Sequence, residues 1–125
     1  MIDHVSIGVA DIGKARHFYN AVLGPVGYRC ASPGETSLGY GADSAAFWIN
    51  AVDRPVPADP GSGLHICFSA PTRESVAAFH AAALAAGGRD NGSHGLRTES
   101  GDNYYAAFIV DPDGYRIEAY CGRAA

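Results

Sequence analysis

A chain of 125 residues, 47% hydrophobic and 18% charged, has the composition of a folded globular unit with its own core, not of a disordered segment. Its formal charge of −4 offers no basic face for nucleic acid, and no apolar run is long enough to span a membrane. There is no basic stretch followed by an apolar one at the N-terminus, and Cys30, Cys67 and Cys121 show no CxxC spacing, so the chain reads as a cytoplasmic protein with reduced thiols.

Residues 2–9 alternate, with Val5, Ile7 and Val9 on one face and His4, Ser6 and Gly8 on the other, as a half-buried strand does. Asp11 is a helix N-cap. The helix it opens runs to about Leu23, with Ala15, Phe18 and Val22 on the buried stripe, and Gly24-Pro25 stops it. Short strands are expected near 26–31, 36–41 and 45–50, separated by turns at Pro33-Gly34 and Gly41-Ala42-Asp43. Residues 51–62, with Pro55, Pro57 and Pro60, read as a linker.

The pattern then restarts. Residues 64–69 alternate as a strand, Thr72 caps a helix reaching about Ala86, and Gly87-Gly88 ends it. An offset of 61 residues aligns the halves without a gap: His4 with His65, Ile7 with Phe68, Asp11 with Thr72, Phe18 with Phe79, Leu23 with Leu84. The chain is thus expected to be a duplication, an α+β fold of two βαβββ modules (2–50 and 63–121) forming one domain over 1–125. In the second module, residues 89–103 read as irregular with a short strand near 96–99. A hairpin of strands near 104–110 and 115–121 follows, turning at Asp111-Pro112-Asp113-Gly114. Setting Val110 opposite Tyr115 puts Ala107 opposite Glu118 and Tyr105 opposite Tyr120, with these four facing an open cup and Phe108, Val110, Tyr115 and Ile117 under the helices.

A carboxylate in mid-strand among apolar neighbours is expensive to bury unless it is paired or binds a metal. Glu118 is such a residue, and His4 and His65 each sit at the same place in equivalent strands. Two imidazoles and one carboxylate from separate strands form a facial set with open coordination positions, suited to Fe(II), Mn(II), Ni(II) or Zn(II).

These residues carry a resemblance. The opening Asp3-His4-Val5-Ser6-Ile7, the restart Gly63-Leu64-His65-Ile66 and the ending Asp111-Pro112-Asp113-Gly114-Tyr115-Arg116-Ile117-Glu118 resemble the vicinal-oxygen-chelate superfamily over nearly the whole chain. That superfamily includes glyoxalase I, extradiol dioxygenases, and fosfomycin- and bleomycin-resistance proteins. The resemblance implies a cup-like open barrel holding a divalent metal, with His4, His65 and Glu118 at the ligand positions, a small-molecule substrate with neighbouring oxygens, and a homodimer. Glyoxalase I carries a fourth ligand, a glutamate on the fourth strand, where this chain has Trp48, the first module's counterpart of Glu118. Lactoylglutathione lyase activity is therefore not expected. The rival expectation is a metal-free protein that sequesters an aromatic compound, as bleomycin-resistance proteins do.

Other polar and aromatic side chains complete the candidate site. Glu118, Tyr105 and Tyr120 are the candidate catalytic groups, the tyrosines as proton donors or as ordinary half-buried sheet residues. Trp48 either stacks on a flat ligand or fills the cup. Arg116 recognises an anion or forms a rim charge. His94 and Arg97, in the Gly-rich stretch 91–103, contact substrate or are solvated loop residues. Cys67, on the cup face with His65, reads as a small buried hydrophobe or else a soft ligand, and His17 and His80 as surface or interface residues.

Overall fold

The structure is a computed structural model that describes residues 1–125. In chain order the elements are β1 (Val5–Val9), α1 (Ile12–Leu23), β2 (Arg29–Ser32), β3 (Ser37–Gly41) and β4 (Phe47–Ala51), then a 3-10 turn at Pro60–Ser62, β5 (His65–Ser69), α2 (Arg73–Ala85), β6 (Arg89–Leu96), β7 (Tyr105–Val110) and β8 (Arg116–Cys121). They build two four-stranded sheets ordered β1-β4-β3-β2 and β5-β8-β7-β6. In each sheet the first strand runs parallel to its neighbour and the other pairs are antiparallel. Two βαβββ modules with the same topology are therefore present, and β1 and β5 are edge strands of their sheets.

Both helices start where the sequence places their caps. The Asp11 carboxylate accepts from the Lys14 N–H at 3.0 Å. Thr72 and Ser75 form a reciprocal capping box. Ala15, Phe18, Tyr19, Val22 and Leu23 recur at helical spacing and turn α1 inward. Val76, Phe79, His80 and Ala83 do the same for α2. These stripes meet Ile7, Ile49, Ile109 and Ile117 from the sheets in a continuous core. Full burial of Phe18 or Phe79 contributes about 2–3 kcal/mol each.

The modules are also tied by polar contacts from one turn. The Tyr19 hydroxyl donates to Asp111 Oδ2 at 2.5 Å, the Tyr115 hydroxyl donates to the Gly8 carbonyl at 2.6 Å, and Lys14 Nζ lies 3.1 Å from Asp113.

Strand registers make the repeat quantitative. Ser6 is opposite Trp48 in one sheet and Cys67 is opposite Glu118 in the other. Ser6 and Cys67 are one repeat apart, so Trp48 does occupy the counterpart position of Glu118.

Two expectations are corrected. Residues 89–96 are not irregular but form β6, paired to β7 with register shifts on either side of Gly92. The β7–β8 hairpin is also displaced by one residue from the expected pairing: Val110 lies opposite Arg116, Phe108 opposite Glu118, Ala107 opposite Ala119 and Ala106 opposite Tyr120. The cause is the turn. The Asp111 N–H donates to the Tyr115 carbonyl and the Gly114 N–H to the Asp111 carbonyl, so Pro112-Asp113-Gly114 is a three-residue loop with Gly114 left-handed at φ 95°. A one-residue slip reverses every side chain of a strand. Tyr105 and Ala107 therefore lie on the helix side, and Phe108 moves to the face of Glu118.

Candidate functional site

Glu118 sits mid-strand in β8 and is 2% exposed. Its neighbours Ile117 and Ala119 point into the core, which leaves its carboxylate on the opposite face of the sheet. Both oxygens are engaged. Oε1 is 2.8 Å from His65 Nε2, and Oε2 accepts from the Tyr104 hydroxyl at 2.6 Å. His65, at the edge on β5, keeps 41% of its side chain exposed. A buried carboxylate is thus held between a partly exposed imidazole and a phenol.

Aromatic side chains surround the pair. The His65 ring stacks on Phe108, with centroids 6.1 Å apart. Tyr104 stacks on Tyr120 at 4.2 Å. The Arg97 guanidinium lies over Phe108, 5.4 Å from its centroid. Burial, reinforced by the Glu118 hydrogen bond, pushes the Tyr104 phenol above its ordinary pKa. Tyr104 is thus a firm proton donor to the carboxylate at neutral pH. Cys67 is an exposed residue and not the buried one expected, yet desolvation of its thiol and then the Glu118 charge push it up to about 12, so it lies beside the pair as a neutral thiol.

The remaining candidates fall elsewhere. Tyr105 bonds His94 Nδ1 at 2.7 Å under the Arg73 guanidinium, on the side that packs against α2. Tyr105 therefore does not share the face of Glu118, as the corrected register requires. Arg116 donates to the carbonyls of Pro60 and Leu64, pinning the 3-10 turn to β8. Trp48 is half-buried on the first sheet, where its indole covers Gly39 so closely that a Cβ there would stand 2.8 Å from the ring. His4 precedes β1, is 54% exposed, and has Nδ1 2.8 Å from the Asp3 carboxylate. A single chain thus brings His65 and Glu118 together and leaves His4 with the other sheet. No three His, Cys, Asp or Glu side chains of one chain are grouped closely enough to hold a metal ion.

The donor chemistry of the pair does suit a metal. Two ligand atoms bonded at about 2.1 Å and set at a right angle stand about 3 Å apart, close to the 2.8 Å between His65 Nε2 and Glu118 Oε1. With an ion held there, the Tyr104 bond to Oε2 would be the outer-sphere contact that orients the carboxylate. Tyr104 escaped the sequence reading because the hairpin register was set one residue away; the three-residue turn was the signal that would have found it.

A separate cavity of about 450 Å³ opens between the β1 and β5 edges. Its lining is apolar, with Val5, Tyr28, Phe47, Ile66 and Phe68 prominent, and excludes His65 and Glu118. The hollow and the polar pair adjoin at Cys67, which lines the first and lies beside the second.

Comparison with known proteins agrees with the geometry. A sequence model of the glyoxalase/bleomycin resistance protein/dioxygenase superfamily matches residues 1–119. A glyoxalase/bleomycin resistance protein from Albidiferax ferrireducens T118 is 32% identical over 98% of both chains, with a TM-score of 0.79. A glyoxalase-related enzyme from Fulvimarina pelagi shares the fold at 18% identity and TM-score 0.73, over 97% of this chain and 87% of that one. The fosfomycin resistance protein FosX of Listeria monocytogenes does so at 15% identity and TM-score 0.70, over 98% and 93%. No functionally curated protein sequence matches the chain. By sequence and by fold together, this chain belongs to the glyoxalase/bleomycin resistance protein/dioxygenase superfamily.

Proposed function

We propose that the protein is a divalent-metal-dependent enzyme acting on a small molecule with neighbouring oxygens, and that its site is shared by two copies of the chain. His65 and Glu118 of one copy and His4 of a second would be the ligands, with Fe, Mn, Ni or Zn as the ion. The observation that carries this reading is the His65–Glu118 pair, 2.8 Å apart and open on one side, in a chain whose equivalent histidine stands exposed at the edge of the other sheet. Ile2, Val5 and Leu64 are exposed along the β1 and β5 edges, which supports pairing of these edges between copies.

A divalent ion bound there supplies Lewis-acid polarisation of a coordinated oxygen. The chain's own residues do the rest. Tyr104 holds Glu118 in place through Oε2, leaving Oε1 directed at the site. Tyr104 and Tyr120 present phenols for proton transfer, and Phe108 stacks on the His65 ring and holds it. Trp48 at the counterpart of Glu118 leaves no second carboxylate to act as a base, so the glyoxalase I proton shuttle is not part of this reading. The free thiols of Cys30, Cys67 and Cys121 support a cytoplasmic setting.

Complementation tests the reading. Purified His4→Ala and Glu118→Ala variants should each lose stoichiometric metal by elemental analysis. After mixing and subunit exchange, half of the dimers are mixed and each regains one intact site, so about a quarter of the wild-type metal content should return. Absence of recovery would refute the shared site, and unchanged metal in Glu118→Ala would refute the metal role. The alternative, metal-free sequestration of an apolar aromatic compound, rests on the apolar cavity. Under it, wild-type protein reconstituted with each metal would retain none and would still bind such a compound.

A further inference from the structure

Arg97 is placed as a receptor without a counter-charge. Its guanidinium lies over Phe108, 5.4 Å from the ring centroid. It lies against the two glycines of β6: a Cβ at Gly95 would stand 3.3 Å from Nη1, and one at Gly92 would stand 3.4 Å from Nη2. The strand is bulged on both sides of Gly92, whose φ of 146° favours glycine. The only side-chain hydrogen bond Arg97 makes is from Nη2 to the Ser93 carbonyl at 2.5 Å. As with the chain's other arginines, no carboxylate lies within ion-pair distance of it. One phenyl ring separates it from His65, which shares its hydrogen bond with Glu118. A planar, half-buried cation with free N–H groups, fixed over an aromatic wall beside the pair, matches a carboxylate or phosphonate oxygen pair.

We propose that Arg97 is the anion-recognising residue of this site, and that the ligand is an anionic small molecule whose carboxylate or phosphonate meets Arg97 beside the His65–Glu118 pair. The proposal rests on the reading that the His65–Glu118 face is the ligand site. It does not require the metal.

The test uses benzoate, phenylphosphonate and uncharged benzyl alcohol as probes, titrated by NMR against wild type, Arg97→Gln, Arg97→Lys and Glu118→Ala, each with and without metal. Wild type should bind at least one anion more tightly than benzyl alcohol, and the stronger of the two identifies the carboxylate or phosphonate class. Arg97→Gln should weaken that anion about 10- to 100-fold and leave benzyl alcohol unchanged. Arg97→Lys, which keeps charge but not the planar fork, should fall between. Equal binding of all three probes by wild type, or an Arg97→Gln variant that binds anions like wild type, overturns the proposal. Persistence of the Arg97-dependent preference in metal-free Glu118→Ala upholds it even where the metal reading fails.

Discussion

Replacing Asp111 with alanine should loosen the joint between the two modules. This side chain is 2% exposed and accepts three hydrogen bonds: from the Tyr19 hydroxyl at 2.5 Å, the Tyr115 N–H at 2.8 Å and the Asp113 N–H at 2.9 Å. Alanine leaves the first two donors buried without an acceptor, at about 1–3 kcal/mol each; the Asp113 N–H can turn to water. Burial also raises the Asp111 pKa, the largest influence, against the lowering effect of its three donors. Part of the penalty is therefore returned when the carboxylate is removed. The net loss should be about 2–4 kcal/mol, a large share of the ~5–15 kcal/mol that holds a typical domain together. Asp111→Asn keeps the shape and one acceptor and should cost about 1 kcal/mol or less.

The pH dependence has a definite sign. A folded pKa above the unfolded value of ~3.9 means that the native state holds the proton more tightly. The stability this group contributes is full below the unfolded pKa and is lost as pH rises through the folded one. The advantage of wild type over Asp111→Asn should therefore grow as pH falls from neutral into that window. Urea denaturation of the three proteins at several pH values measures both effects. An Asp111→Ala variant within about 0.5 kcal/mol of wild type would refute the argument.

Two further substitutions probe other links. Tyr104→Phe removes the donor to Glu118 Oε2 and should weaken metal binding about 10- to 100-fold with the fold intact, as competitive chelator titration and circular dichroism would register. Gly114→Ala forces a Cβ onto a residue at φ 95° and within 3.1 Å of the Ala58 Cβ; it should cost more than about 1 kcal/mol in thermal unfolding, and a neutral result would argue against the three-residue turn.

Much of the architecture was legible because the duplication repeats without a gap. The matching caps Asp11 and Thr72, and the matching strands around His4 and His65, announced two modules, and both sheets have the same strand order. What was not legible depended on backbone geometry. β6 contains Asp90, Gly92, His94 and Gly95, so it lacks the alternation that marks a half-buried strand; its pairing comes from β7 and not from its own pattern. The hairpin slipped because Asp-Pro-Asp-Gly serves a four-residue or a three-residue turn equally well, and only the left-handed Gly114 decides between them. That single residue kept Tyr104 and Phe108 out of the sequence reading and brought Tyr105 in. His4 illustrates a different limit. A repeat places a residue within its module, but how two modules face one another is a matter of packing that periodicity does not encode.

The turn that joins the modules also sets when the chain can fold. The Tyr19 hydroxyl finds its acceptor 92 residues later, and the Gly8 carbonyl finds its donor 107 residues later. Such separations carry a large loop-closure entropy and slow folding. During synthesis the first module leaves the ribosome complete in its strands but with α1 lacking the second module that covers it. The Tyr19 hydroxyl, buried in the finished protein, has no acceptor until residue 111 has been translated. A chain cut short before residue 111 keeps α2 to pack on α1 but lacks the acceptor for the Tyr19 hydroxyl and the donor to the Gly8 carbonyl.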